Sequence, residues 1–374
     1  MKILVLGAGS YQNELIQTAK SFGEVFAISN NYSDVGLAFA DRSEIISILD
    51  YESCLHFVKK ESFSAVISSG SQLAAYTQSR LNEVLGLNGF PFDFVRTMTD
   101  KYLMRQWFRD SGLSKINFTN EEEQISSSNS WIIKPRIASG SRGVSLYSEA
   151  TGLDSIANKS CFVKGWMVEE FIDGESGSAL FEIRNGKALR LLATKKKINS
   201  DFVPIAHVLY DFEESIYSYL QKTVDSMIEQ FDLDCGFIDL DFIYTEDRVE
   251  IVDIGTRLSG NGLVEMYNQF SEQNLYRVQI KMSLNLPLEE LVTLDVRNAG
   301  VMLYYSKVKG RLSSYPLEFN DMKILNSIQF FSKGKKVHHL SEGKNQLGFF
   351  IFKTIKNAFE VVNQRAKEST IILE

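Results

Sequence analysis

The chain has 374 residues, enough for two or three domains, and its 44% hydrophobic and 23% charged residues are an ordinary globular mixture. A formal net charge of −7 speaks against nucleic acid or an anionic membrane as the partner, while leaving room for a small basic pocket within an acidic whole. Cys54, Cys161 and Cys235 are odd in number, widely spaced and form no CxxC, which fits a reducing compartment rather than a disulfide framework or a cysteine-rich zinc site.

Residues 2–6 (KILVL) are a buried-strand run, and Gly7-Ala8-Gly9-Ser10 turns it into a helix carrying Leu15, Ile16 and Ala19. Strands at 25–28 and 65–67 and an amphipathic segment at 73–85 continue the alternation, which predicts a small parallel α/β unit at the N-terminus. The opening apolar run is far too short for a membrane span and lacks a signal peptide's cleavage pattern, so a soluble, cytoplasmic protein is expected. A new helix is predicted to start at Thr99-Asp100, with Thr99 as N-cap and Gly112 at its C-terminal stop. After a polar loop at 120–130 come strand 131–135, a Gly/Ser loop to Gly143, strand 144–147 and strand 166–172 ending at Asp173-Gly174. A helix near 216–231 leads to two strands around the polar turn Thr245-Glu246-Asp247-Arg248. From about Ala299 short β runs (301–305, 324–331, 349–352) and a helix near 355–366 suggest a small α+β region. The expected fold is α/β plus α+β, divided at 1–98, 99–298 and 299–374.

The most informative stretch is GFIDLDFIYTEDRVEIVDIGTRLSGNG, 236–262. Strand side chains alternate, so Asp239 and Asp241 share the face opposite Ile238, Leu240 and Phe242. With a three-residue loop, Asp241 and Asp253 would lie opposite each other; an even-numbered loop without a bulge would separate them onto two faces. Two like charges at that spacing repel. A hard divalent cation held by oxygen ligands would satisfy both.

Four other segments carry competing readings. Gly7-Ala8-Gly9 suggests a dinucleotide fingerprint, but position 12 is Gln12 and the second strand ends in Ser29-Asn30-Asn31, with no acidic residue. A glycine turn that lets strand and helix pack closely is the preferred reading. Lys134-Pro135 followed by Ala138-Ser139-Gly140-Ser141-Arg142-Gly143 can cradle phosphate with backbone N–H groups; a plain surface hairpin fits that segment equally well. Glu169-Glu170-Phe171-Ile172-Asp173-Gly174-Glu175 can offer backbone to an adenine edge and a carboxylate to a ribose, as can many ordinary strand ends. Lys195-Lys196-Lys197 is read as a solvated face ahead of a phosphate contact, and His207 as packed and hydrogen-bonded ahead of a substrate contact. His338-His339 carries no role.

The order of these segments resembles the ATP-grasp superfamily, in its carboxylate–amine (carboxylate–thiol) ligase branch. GAGSYQNELIQTAKSFG resembles the preceding α/β domain, and DKYLMRQWFRDSGL the helix that opens the grasp. IIKPRIASGSRGVSLY and VEEFIDGES resemble the phosphate loop and the adenine hinge, and GFIDLDF with VEIVDIGTRLSGN the metal-binding strands. DFVPIAHVLY and DIGTRLSGN are similar to ligases of bacterial cell-surface polysaccharide and small-peptide synthesis. The resemblance implies ATP with Mg2+, or Mn2+ in its place, and a small-molecule carboxylate and amine as substrates, joined through an acylphosphate. It makes Lys101 and Lys134 phosphate ligands and Ser139, Gly140, Ser141, Arg142 and Gly143 a flap over the triphosphate. Glu169 belongs to the hinge, where Glu170 and Ile172 meet adenine through their backbone and Glu175 neighbours the ribose. Asp241 and Asp253 hold the metal, and Arg257 and Lys134 are the catalytic cations. The chain departs from the pattern at Asp253, where Glu is common, and at Gly255, where Asn is common. A non-catalytic nucleotide-binding module and an NAD(P) oxidoreductase are the alternatives. A homodimer is the default assembly.

Overall fold

The computed structural model describes residues 1–121, 130–138, 140–147, 165–341 and 345–374. No helix among them is long and apolar enough to cross a membrane.

Four parallel strands open the fold, with Lys2–Leu6 between Glu24–Ser29 and Ala65–Ile67, and Arg42–Ile45 at the edge beyond Glu24–Ser29. Such strands are buried on both faces and read as apolar runs. Leu4, Leu6, Phe26 and Ile28 pack on one face of the sheet, and Ile3, Val5, Val25 and Ala27 join the core on the other. That second face is shared with helix Leu275–Ser283, whose Gln279 Nε2 donates to Ser68 O at 2.7 Å. The first unit is therefore bound into the body of the protein by a helix far along the chain.

One segment departs from expectation at the entry to the second unit. Helix Phe92–Thr99 precedes Lys101–Asp110, and the cap of the latter is Asp100, whose carboxylate accepts from Tyr102 N and Leu103 N. Thr99, expected as the cap, ends the preceding helix, and its hydroxyl donates back to Val95 O at 2.6 Å. An Asp accepts two N–H groups here, while Thr finds its partner within its own helix.

Two sheets face each other beyond this point. The smaller has the order Phe118–Thr119, Trp166–Glu170, Trp131–Pro135, Ser145–Tyr147, all antiparallel. The larger has eight strands, in the order Val249–Gly255, Cys235–Tyr244, Glu175–Arg184, Lys187–Ile198, Pro204–Leu209, Ala299–Leu303, Gly348–Lys353, Lys323–Gln329. The last three come from the C-terminal stretch, so that stretch continues the same sheet. Helix Glu214–Phe231 covers one side through Leu220, Val224 and Met227, packed against Phe181, Ile238 and Leu240.

Candidate nucleotide and metal site

The large sheet aligns one row of polar residues. Thr194 pairs with Ser178, Ser178 with Asp241 and Asp241 with Asp253, across four neighbouring strands. Residues in register point to the same face, so the row lines one surface. Ile238, Leu240 and Phe242 point the other way into the apolar core, as the alternation requires.

The turn between the last two strands is even-numbered, over 245–248, and is closed by Thr245 N donating to Arg248 O at 2.9 Å. On its own it would put Asp241 and Asp253 on opposite faces. A bulge corrects this: Phe242 pairs with Ile251 and Asp241 with Asp253, which leaves Val252 as the extra residue. The bulge also re-aims the Val252 carbonyl, which accepts from Lys134 Nζ at 3.4 Å. Nothing in the sequence signalled it.

Each of the two carboxylates meets a lysine from another element. Lys196 Nζ lies 2.9 Å from Asp241 Oδ1, to which Ser178 Oγ also donates at 2.8 Å. Lys101 Nζ lies 3.2 Å from Asp253 Oδ1 and donates to Ala138 O at 3.2 Å. Burial alone would push the Asp241 carboxyl up, but the Lys196 charge and these hydrogen bonds hold it below its ordinary value. Lys196 is therefore not on the solvated face expected for the lysine triple. Strand alternation turns it inward, where it is buried, while Lys195 turns outward to Glu175.

Beneath the facing sheet lies a buried triad. Glu169 accepts from Arg105 Nε at 2.8 Å and from Lys134 Nζ at 2.6 Å, and all three side chains are almost completely buried. Burial raises the Glu169 carboxyl, yet the two cations hold it at about 2. Burial lowers the Lys134 ammonium to about 8, against the pull of Glu169 and with help from Arg105 and Lys101. Arg105 carries no motif; only its place in the fold shows what it does.

Lys101, Lys134, Gly140, Ser141, Arg142, Glu169, Glu170, Ile172, Asp241 and Asp253 all line one cleft. Ser141 Oγ donates to Phe202 O at 2.7 Å, tying the Gly/Ser loop to the opposite lobe. Gly143 has φ +74, and a Cβ there would come 2.9 Å from the Trp166 ring, so glycine is required at the end of this loop. Ser139 lies outside the described residues. The Glu170 N–H is committed to Asn117 O at 2.8 Å. Glu175 does not reach the cleft. It pairs with Lys195, accepts from Tyr244 Oη at 2.9 Å and lines an outer groove, while its neighbour Ser176 lines the cleft. The strand alternation that brings Ser176 inward sends Glu175 out.

Arg257 sits in a second, polar cavity. Asp239, Asp241, Asp253, His207, Ser259 and Asn261 line it, together with Tyr11 and Gln72 of the first unit. Arg257 Nη1 is 2.6 Å from Asp239 Oδ2, and a Cβ on Gly255 would come within 2.6 Å of the guanidinium. The missing side chain at Gly255 is thus the space Arg257 fills. Gln72 fixes this segment by donating to Thr256 Oγ1 at 3.0 Å and accepting from Thr256 N at 2.9 Å. His207 is buried, with Nδ1 3.2 Å from Thr194 Oγ1; burial and the nearby Lys196 push its imidazole down to about 3, so it is neutral.

The glycine turn of the first sheet holds no such space. Gln12 folds over it, its Oε1 3.2 Å from where a Cβ on Gly9 would be, and its Nε2 donates to Ser69 O at 2.8 Å. The position that a dinucleotide fingerprint reserves for glycine is occupied by a side chain that fills the turn, which removes the nicotinamide reading.

The model of the ATP-grasp domain family matches residues 98–261, the span that carries both sheets' cleft residues. Residues 98–261 are thus an ATP-grasp domain by that match. ATP with Mg2+ is the cofactor that such a domain takes. A formate-dependent phosphoribosylglycinamide formyltransferase from Prochlorococcus marinus (strain MIT 9515) is 23% identical over 331 residues, 81% of each chain. One from Bacillus velezensis is 22% identical over 313 residues, 79% of this chain and 80% of that protein. Among solved structures, an L-amino acid ligase from Bacillus licheniformis has a TM-score of 0.81 at 16% identity, covering 100% of this chain and 98% of that one. A phosphoribosylglycinamide synthetase from Anaerococcus prevotii has a TM-score of 0.77 at 17% identity, covering 100% and 99%.

The donors present suit Mg2+. Asp241 and Asp253 offer hard oxygen donors set opposite each other, each already facing a cation. Two protein carboxylates with the remaining ligands from phosphate and water is the usual Mg2+ arrangement in nucleotide sites.

Proposed function

We propose that this chain is a carboxylate–amine ligase that forms an amide through an acylphosphate and releases ADP and phosphate. One observation carries the reading: Asp241 and Asp253 line both the cleft and the polar cavity, so they stand on the wall the two share. A nucleotide in the cleft would bring its terminal phosphate to that wall, and an acceptor carboxylate would reach it from the cavity. Of the similar proteins, one is by name an L-amino acid ligase and others are by name formate-dependent formyltransferases, which supports a small carboxylate as substrate.

In this reading Lys101 and Lys134 bind the phosphates, and the loop Ser139 to Gly143 covers them. The backbone of Glu170 and Ile172 meets adenine, and Glu169 holds Lys134 in place from below. Asp241 and Asp253 would hold Mg2+, which would supply neutralisation between two anions that otherwise repel. A substrate carboxylate oxygen attacks the γ-phosphorus as the bond to the β-phosphate oxygen breaks, and ADP leaves. Arg257 faces the acceptor in the cavity and stabilises the charge that develops there. The amine then attacks the acyl carbon, phosphate leaves and the amine gives up its proton. Residues 1–98 close the acceptor side, 99–298 carry nucleotide and metal, and 299–374 brace the cavity's outer wall. The covered cleft keeps water from the acylphosphate.

Hydroxylamine tests the intermediate. With ATP, Mg2+ and a panel of amino acids and other small acids, an acyl hydroxamate should form with at least one acid, together with ADP. A second reading, a module that binds nucleotide without ligation, is favoured by the Arg257 guanidinium lying in the space at Gly255 where the family commonly has a metal-binding Asn. Nucleotide binding with no hydroxamate and no stimulated ADP release across the panel would select it.

A further inference from the structure

Lys196 is a buried ammonium that the proposed reaction leaves without a role. It lines the nucleotide cleft, and its nearest anion is Asp241, one of the two proposed metal ligands, at 2.9 Å. Across the neighbouring strand it faces His207, which is neutral, so Asp241 is its sole negative partner among the described residues. The same arrangement recurs on the other carboxylate, where Lys101 approaches Asp253 from a helix of the facing lobe. An ammonium and a divalent cation compete for the same carboxylate oxygen. A buried lysine that loses its carboxylate must also find another anion, because an unpaired buried charge is costly. The cleft that Lys196 lines would supply one only when phosphates are present.

We propose that Lys196 and Asp241 form an exchangeable ion pair, in which the ammonium holds the carboxylate until a divalent cation replaces it and then turns to the nucleotide's phosphates. The inference rests on the ATP-site reading above. It makes metal and nucleotide bind with positive coupling: each relieves the cost the other imposes, and the coupling is reciprocal. It also assigns Lys196 as a direct phosphate contact in the nucleotide-bound state. Metal binding to the nucleotide-free protein is then weak, because it would leave the ammonium without a partner.

The test is the affinity for Mn2+, followed by electron paramagnetic resonance, with and without ADP, for the full chain and for Lys196→Met and Lys196→Arg. In the unaltered protein ADP should tighten Mn2+ binding by about tenfold or more, within the ordinary range of coupling factors. Lys196→Met should bind Mn2+ more tightly without ADP, bind ADP more weakly, and lose most of the coupling. Lys196→Arg, which keeps the charge, should retain the coupling, and its melting curve together with that of Lys196→Met reports whether each variant is folded. If folded Lys196→Met binds Mn2+ no more tightly than the unaltered protein while the latter still binds Mn2+ with ADP, the exchange is overturned and the ATP-site reading stands. If the unaltered protein binds neither Mn2+ nor ADP, both are overturned.

Discussion

Two stretches of this chain look like ligand sites in sequence, the glycine turn at Gly7 to Gln12 and the paired carboxylates at Asp241 and Asp253. The fold treats them oppositely. In the first, a strand runs through glycines into a helix, but the space above the turn is taken by Gln12, held by a hydrogen bond to Ser69 O at 2.8 Å. In the second, a bulge at Val252 turns Asp253 to the side of Asp241, and both open onto two cavities. A backbone that can cradle a ligand becomes a site only where the chain's own side chains leave the space free. The same rule explains Gly255, which has no side chain and whose space belongs to Arg257.

The contrast predicts unequal responses to substitution. Removing a wall carboxylate has the largest effect. Asp253→Asn and Asp241→Asn should each lower ATP-dependent ADP release by ~100-fold or more, the usual scale for losing one preorganised electrostatic contact; Asp253→Asn should keep its melting temperature, while Asp241→Asn, which leaves the buried Lys196 unpaired, should lower it. Loss of less than about tenfold would mean that the shared wall is not where chemistry happens.

A change in pH acts next. The Lys134 ammonium is lowered to about 8, so nucleotide affinity measured by calorimetry should fall as pH rises through that value. Lys134→Arg, whose guanidinium stays charged, should abolish the fall. The unfolded chain keeps this proton to higher pH than the native one, so this group's contribution makes folding more favourable as pH rises through the same window. A decline in affinity that survives in Lys134→Arg would assign it to another group.

Packing comes third. A Cβ on Gly177 would lie 2.3 Å from the buried Phe242 ring, on the core side of the row that carries Ser178 and Asp241. Gly177→Ala should cost about 1–3 kcal/mol in denaturant unfolding, the usual penalty for overpacking. A neutral result would show that the sheet has room behind its functional face. The smallest effect belongs to the glycine turn. Gln12→Ala should cost about 1 kcal/mol, the value of one buried hydrogen bond, with turnover unchanged and no NAD(P) protection against thermal unfolding. NAD(P) protection of that variant would restore the turn as a site and end the contrast.

Much of the architecture was legible locally. Strand runs such as 2–6 and 235–244 announce themselves by apolar composition and alternation, and Gly/Ser loops by their glycines, because those signals live within a few residues. The helix at Phe92–Thr99 was not legible, since its boundary with the next helix depends on which of two adjacent residues, Thr99 or Asp100, captures the free N–H groups. Arg105 was invisible as a site residue because its partner Glu169 is 64 residues away, and it joins the site only when a helix packs beneath a sheet.

What the sequence alone determined is the set of chemical groups and, on the strand it predicted, the face that Asp239 and Asp241 share. Period-two alternation is a property of the single strand and needs no partner. What only the tertiary structure decided is which faces meet and across what space. The register shift at Val252, the seat of Arg257 over Gly255 and the lysines against Asp241 and Asp253 all depend on pairing between distant segments. Register and packing are set by the global burial of apolar side chains, which no local stretch of the chain encodes.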